Sequence, residues 1–478
     1  MKLRNTIIAL VLLAIVGGYA LVMYRYQVPV GGGTVLDVKS DEIKSVELKT
    51  TDLDLMIERD KGGTWKIVKP MAADADKFGC INLAQAIADA KVESTVDENP
   101  SDLEQFGLKN PATTVYVTTF DGKPHPGIEV GKTTPVGFHA YVKTTDKPAV
   151  MLTASSFPSG MSKKFNDLRS RELMSFQTSG AKVNKLILTH ADGKTLEFDR
   201  QGDHYQMVKP FNFPTDSTRV TETISTLGNA NADSFVSDAP TNVAQYGLDK
   251  PQMTAAVILD NGQQQSLLFG SKSSSGSGVY VRRGESVPVY TVGDFELNNL
   301  DVPLMEFHDK TVFDFDPAKV DGFDITNSTG TFSLRKTSAG KWDVVQGGHR
   351  QNADVTSVMR LMDRVQGLKG MGVLADPMTP ADYGLEHPNV TITVLGANDK
   401  PIGTVWASKR DLTPEEGYTK AGERTAYYVT SSAGTAAFQI PGVSFLPLDK
   451  PPTNYILATP TPTSASTPIA SAAPSPAK

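Results

Sequence analysis

Phe106-Gly107-Leu108-Lys109-Asn110-Pro111 is a stretch that returns twice further along the chain, as Tyr246-Gly247-Leu248-Asp249-Lys250-Pro251 and as Tyr383-Gly384-Leu385-Glu386-His387-Pro388. Forty-one positions ahead of each copy stands another large aromatic: Trp65, Tyr205 and Trp342. Twenty-two positions ahead of those stands a β-branched residue: Ile43, Val183 and Val320. Chance does not produce three such registers. The chain reads as three tandem copies of one domain, and residues common to the copies are to be explained first by folding. A unit near 138 residues exceeds solenoid and propeller repeats and has the size of a domain with its own core.

Working outward from the turn, Pro100 and Pro240 open short helical segments. Gly107, Gly247 and Gly384 then take the place of a left-handed residue after a helix, Leu108, Leu248 and Leu385 return the chain to the core, and Pro111, Pro251 and Pro388 forbid further helix. Upstream, alternating runs such as Ser45-Val46-Glu47-Leu48-Lys49 and Lys185-Leu186-Ile187-Leu188-Thr189 predict strands. Between these strands and the turn, Val220, Ile224 and Leu227 form a helical stripe behind the cap candidates Thr215, Asp216 and Ser217, and Val358, Leu361 and Val365 repeat it. Three or four more strands follow the turn, marked by Val130-Gly131, Phe269-Gly270 and Trp406-Ala407 and then by Tyr141, Tyr280 and Tyr418. The fold class expected is α+β, with mostly antiparallel sheet plus helix in each copy.

The boundaries expected are 1–34 for a membrane anchor and glycine tether, 35–179, 180–317 and 318–448 for the copies, and 449–478 for a tail. Leu168-Arg169-Ser170-Arg171 and Phe307-His308-Asp309-Lys310 occupy matching places between copies and read as a shared joint. The tail is almost wholly Ala, Pro, Ser and Thr from Ala458 onward, a composition that cannot bury a core. At the other end, Lys2 and Arg4 precede an uncharged run from Thr6 to Tyr24, about nineteen residues, close to the roughly twenty that cross a bilayer as a helix. Positive charge stays inside, so the expectation is a single-pass anchor in the cytoplasmic membrane with the bulk of the chain outside it, periplasmic or at the cell surface. Cleavage near Gly18 and Ala20 is the competing reading.

With 47 basic and 53 acidic residues and a net charge of -6, the chain carries no basic stripe to track phosphates, and no nucleic-acid partner is expected. A single cysteine, Cys80, allows no internal disulfide and reads as a small core residue. Gly131-Lys132-Thr133 resembles the end of a phosphate loop, but Pro126 stands where that loop needs glycine, and the other copies read Gly270-Ser271-Lys272 and Ala407-Ser408-Lys409. The seven histidines share no metal-ligand spacing, and His387 reads as a solvated turn residue. Lys69-Pro70 and Lys209-Pro210 read as strand ends with solvated lysines. No catalytic residue, cofactor site or metal site is expected.

An N-terminal anchor followed by strands, aromatic-x-x-Val-x-Pro, helix and aromatic-Gly-Leu-x-x-Pro resembles the bacterial membrane-anchored repeat family of unknown function DUF4340, here over nearly all of Val35 to Leu448. Phe307-His308-Asp309-Lys310 is similar to that family's aromatic-Arg-Asp-Lys link, with His308 in place of the arginine. The resemblance implies an exported, non-enzymatic scaffold or binding component accessory to an ABC-type transport complex of the gliding-motility auxiliary kind, with transporter subunits as partners. Two other readings stand beside it: a module binding an envelope polymer, and a hydrolase with an unmarked site.

Overall fold

The computed structural model describes residues 18, 32–274, 276, 278–411 and 425–458. Its architecture is mainly β: three antiparallel sheets with few helices. In the first sheet the strand order is Ala73–Asp74, Trp65–Lys69, Asp54–Arg59, Ile43–Lys49, Thr113–Thr119, Ile128–Thr133, His139–Thr144, Val150–Ala154 and Ser94–Asp97. The second sheet keeps this order with eight strands and the third with nine. The expected antiparallel sheets, each with a helix, are present, but the balance is mainly β, because short strands of two to four residues beside the helices have too little alternation to be seen in sequence.

One 12-residue helix serves each sheet: Lys77–Ala88, Ser217–Gly228 and Val355–Gln366. Asp76, Asp216 and Asp354 cap them by accepting from N–H groups two or three residues on, which satisfies donors that a helix start leaves open. Cys80, Leu83 and Ile87 in the first helix, Val220, Ile224 and Leu227 in the second, and Val358, Leu361 and Val365 in the third face the core. The first helix leaves one edge strand of its sheet and ends beside the other edge strand. It is about 18 Å long, whereas nine strands laid flat span about 38 Å. The helix's Cys80, Leu83 and Ile87 side chains share one core cluster with the sheet's Ile43, Val46, Trp65, Val115 and Val117.

By contacts the chain divides into two compact units. The first holds residues up to Glu172 together with Asn231–Phe235, and the second holds Leu173–Ala230 and everything from Val236. The second and third sheets thus share a unit. The fold also runs past Leu448: Tyr455 is 4% exposed, and Ile456 bridges to Ala353. Within residues 449–458, counted with the tail in the sequence reading, Tyr455 joins the third sheet's core, its ring 5.8 Å from that of Phe332, while Leu457 is exposed. The rest of the expected tail, from 459, lies outside the described residues. So does all of the apolar run except Gly18; among the described residues no helix is long and apolar enough to cross a membrane.

Candidate functional site

The repeated motif is a folding device built from two pieces. Gly107, Gly247 and Gly384 have φ of 70°, 67° and 65°, the left-handed region that glycine enters without steric cost. The following Leu108, Leu248 and Leu385 donate their N–H groups back to Leu103, Val243 and Pro380 carbonyls and are buried. The second piece is the strand glycine. A Cβ on Gly131 would stand 2.3 Å from the Phe106 carbonyl oxygen, and one on Gly270 would stand 2.1 Å from that of Tyr246. The turn lies directly on the strand at these places, and Lys132 N–H donates to the Phe106 carbonyl at 2.9 Å. In the third sheet Ala407 replaces the glycine, and the turn stands off: nothing approaches a Cβ on Gly384 closer than 3.6 Å, while Ser408 Oγ donates to the Gly384 carbonyl.

Each turn aromatic packs against a tyrosine on a neighbouring strand. Ring centroids lie 5.0 Å apart for Phe106 and Tyr141, 4.9 Å for Tyr246 and Tyr280, and 5.4 Å for Tyr383 and Tyr428. The third partner is therefore Tyr428, not Tyr418, which lies outside the described residues. The connection between the paired strands Pro401–Asp411 and Thr425–Ser431 is longer than its counterparts, which moves the partner ten positions along the chain, so sequence spacing alone picks the wrong tyrosine. Trp65 and Trp342 are 3% and 2% exposed. Tyr205 is only half-buried, and its hydroxyl donates to the Val183 carbonyl at 2.7 Å, which accounts for tyrosine where the other copies have tryptophan. Pro111, Pro251 and Pro388 are half-buried stops at the head of the next strand.

Lys69 and Lys209, expected as solvated lysines, are ion-paired. Lys69 Nζ lies 2.5 Å from Glu47 and 3.1 Å from Asp54, and Lys209 Nζ lies 2.8 Å from Glu197, which Lys185 also contacts. Hydrogen bonds to Glu47 and then Asp54 hold the Lys69 ammonium above the usual lysine range. Both lysines remain largely open to water, so these pairs add little stability. Cys80 is fully buried; desolvation first, with Asp76 second, pushes its thiol up to about 12, far from a reactive thiolate. His387 is exposed.

Two kinds of extended segment flank each sheet. A lead-in segment pairs with the residues after the helix: Val35 and Val92 N–H groups donate to the Ala90 and Gly33 carbonyls, Leu173 to Ala230, Ala232 to Arg171, Val312 to Leu368, and Gly370 to Lys310. A lead-out segment pairs with the residues before the helix: Asp76 N–H donates to Leu168, Asp216 to Phe307, and Asp354 to Tyr455. Inside the second unit the two segments are continuous from Phe307 to Val312, so one six-residue strap joins the start of one helix to the end of the next. His308 lies at its centre, 1% exposed, stacked on Phe213 at 4.8 Å. Its Nε2 is 2.9 Å from Asp376 Oδ2 and its Nδ1 faces the Asp309 carbonyl oxygen. Both partners present oxygen atoms to the ring nitrogens. The matching position in the first unit holds an arginine, Arg169, which lies over Phe235 at 4.3 Å.

One groove lies along the outer face of the Ser217–Gly228 helix, with a volume of about 810 Å³. Ser217, Thr221, Ser225, Asn229 and Glu222 line it, and Phe295, 70% exposed, stands at its rim. Thr221 Oγ donates to the Ser217 carbonyl and Thr226 Oγ to that of Glu222, so these hydroxyls present oxygen acceptors outward. Sequence reading missed the groove because Ser and Thr on an exposed helix face carry no motif. Among the described residues no group of three His, Cys, Asp or Glu side chains is placed to hold a metal ion.

The family model named domain of unknown function, DUF4340, matches residues 65–206 and 206–388. The chain belongs to that family. No curated protein matches the sequence significantly.

Proposed function

We propose that this protein is a non-enzymatic, membrane-anchored extracytoplasmic scaffold made of three tandem copies of one domain, bounded near 35–179, 180–317 and 318–448. It serves as an accessory arm of an ABC-type transport complex of the gliding-motility auxiliary kind. The observation that carries this reading is the use to which the shared residues are put. Trp65, Trp342 and the three leucines of the turns fill cores, the glycines permit close approach, and the flanking segments bond each helix at both ends. What the copies have in common goes into folding and linkage, as in a spacer. The apolar run from Thr6 to Tyr24 supplies the anchor. A second reading, an envelope-polymer module, is favoured by the groove at Ser217–Asn229, whose acceptor hydroxyls and rim phenylalanine suit a hydroxyl-bearing chain such as a polysaccharide.

Photo-cross-linking in intact membranes, with mass-spectrometric identification of the captured species, separates the two. Transporter subunits are expected as the principal products. Capture of wall polymer alone, abolished by Thr221→Arg in the groove, would replace the first reading with the second.

A further inference from the structure

The hairpin between Ile128–Thr133 and His139–Thr144 ends in Thr134-Pro135-Val136-Gly137-Phe138. Val136 is 85% and Phe138 87% exposed, the two largest exposures among the apolar side chains described. Phe138 has a φ of 56°, a left-handed conformation that costs a bulky residue energy. The tip is nevertheless held in place. Thr134 Oγ donates to the Val136 carbonyl at 2.8 Å, Thr134 N–H to the His139 carbonyl at 2.9 Å, and Ser155 N–H to the Phe138 carbonyl at 2.9 Å. A fixed turn thus holds two apolar side chains out in water. The matching hairpin of the second sheet is Ser273-Ser274-Ser275-Gly276-Ser277-Gly278, with no apolar side chain. The second sheet therefore has no counterpart of this tip.

The first sheet differs in being next to the N-terminal run. Eight residues separate Tyr24 from Gly33, a reach of at most about 29 Å. The chain enters the sheet near the end of the strands from which the tip projects: Glu93 N–H donates to the Leu152 carbonyl at 2.9 Å, and Leu152 lies in the strand Val150–Ala154 that pairs with His139–Thr144. Gly33 accepts from Val92 N–H at 2.9 Å, the next residue, Glu93, forms an ion pair with His139, and His139 adjoins Phe138. From these contacts, and resting on the reading of residues 6–24 as a membrane anchor, we propose that the Pro135–Phe138 tip inserts into the lipid–water interface of the membrane that holds the anchor. It acts as a second contact that fixes the orientation of the first sheet on the bilayer. An aromatic and a branched aliphatic side chain beside a proline suit that interface, where an apolar body buries shallowly while the backbone stays near water. The protein's single other thiol, Cys80, is buried, so an engineered cysteine reports alone.

The test uses the full chain reconstituted in phosphatidylethanolamine–phosphatidylglycerol vesicles. Phe138→Cys and, as a second position less coupled to the backbone, Val136→Cys each carry an environment-sensitive NBD label. Phe295→Cys in the second unit carries the same label as reference. Expected are a blue shift of NBD emission and its quenching by doxyl-labelled phosphatidylcholine at positions 136 and 138, with the position-295 label unquenched. A chain that stays with the vesicles through carbonate washing, yet shows labels at 136 and 138 as wet as at 295, overturns the insertion and leaves the anchor standing. A chain that washes off the vesicles overturns both. Equal quenching at all three positions also overturns the assignment to this hairpin.

Discussion

Replacing Gly107 and Gly384 by alanine, one at a time, separates two costs that the same turn carries in different sheets. Both residues have left-handed φ, which costs an L-residue about 1–2 kcal/mol. At Gly384 that is the whole cost, because the nearest atom to the added Cβ, Ser408 Cβ, is 3.6 Å away. At Gly107 the added Cβ would lie 2.6 Å from Lys132 Cγ and 2.9 Å from Lys132 N. The lysine side chain can swing aside, but its backbone nitrogen is held by its bond to the Phe106 carbonyl. Forcing such an overlap adds about 1–3 kcal/mol, so Gly107→Ala should cost about 2–5 kcal/mol against about 1–2 for Gly384→Ala. A chain of more than one compact unit has no single unfolding free energy, so the readout must be local. Hydrogen exchange of the Leu108 and Leu385 amides, which close equivalent turns, serves. The difference of about 1–3 kcal/mol corresponds to roughly 5- to 150-fold greater acceleration at Leu108 in its variant than at Leu385 in the other. Equal acceleration would refute the close approach of turn and strand. No acceleration in either would refute the left-handed requirement itself.

Trp342→Ala empties a site 2% exposed beside Phe323 and should cost about 3–5 kcal/mol. Limited proteolysis should cut the third sheet first and spare the unit ending at Glu172; simultaneous loss of the first unit would contradict the division of the chain. His308→Leu leaves the Asp376 carboxylate, 11% exposed, without its ring donor and should destabilise the second unit by about 3–5 kcal/mol, whereas His308→Arg restores a donor and should melt closer to the parent; equal melting of all three would remove His308 from the linkage. Alkali should also act selectively. Burial raises the Cys80 thiol from 9.0 to about 12 and the Tyr455 and Tyr427 phenols from 10.0 to about 12. Folded values above unfolded ones mean that stability is full below the unfolded value and falls as pH rises to the folded one. The first unit should weaken from about pH 9 and the second from about pH 10, and alkylation of Cys80 at pH 8 in the intact protein would refute its burial.

The linear order of residues was enough to find the three glycine turns, the helical stripes and the core role of Cys80, because each is a local demand. A left-handed glycine, a stop at proline and a spacing of three or four apolar residues are legible wherever they occur. The sheets' extent was not legible, because strands of two to four residues have no measurable alternation and are made by pairing with distant partners. Tyr428 in place of Tyr418 shows the same limit: a hairpin of different length moves the partner along the chain without moving it in space. Only the tertiary structure decided that Tyr455 belongs to a core with Phe332, that His308 faces Asp376, and that Gly33, Glu93 and Phe138 are linked through neighbouring contacts at one end of the first sheet. These neighbours lie tens of residues apart, and the folded backbone brings them together.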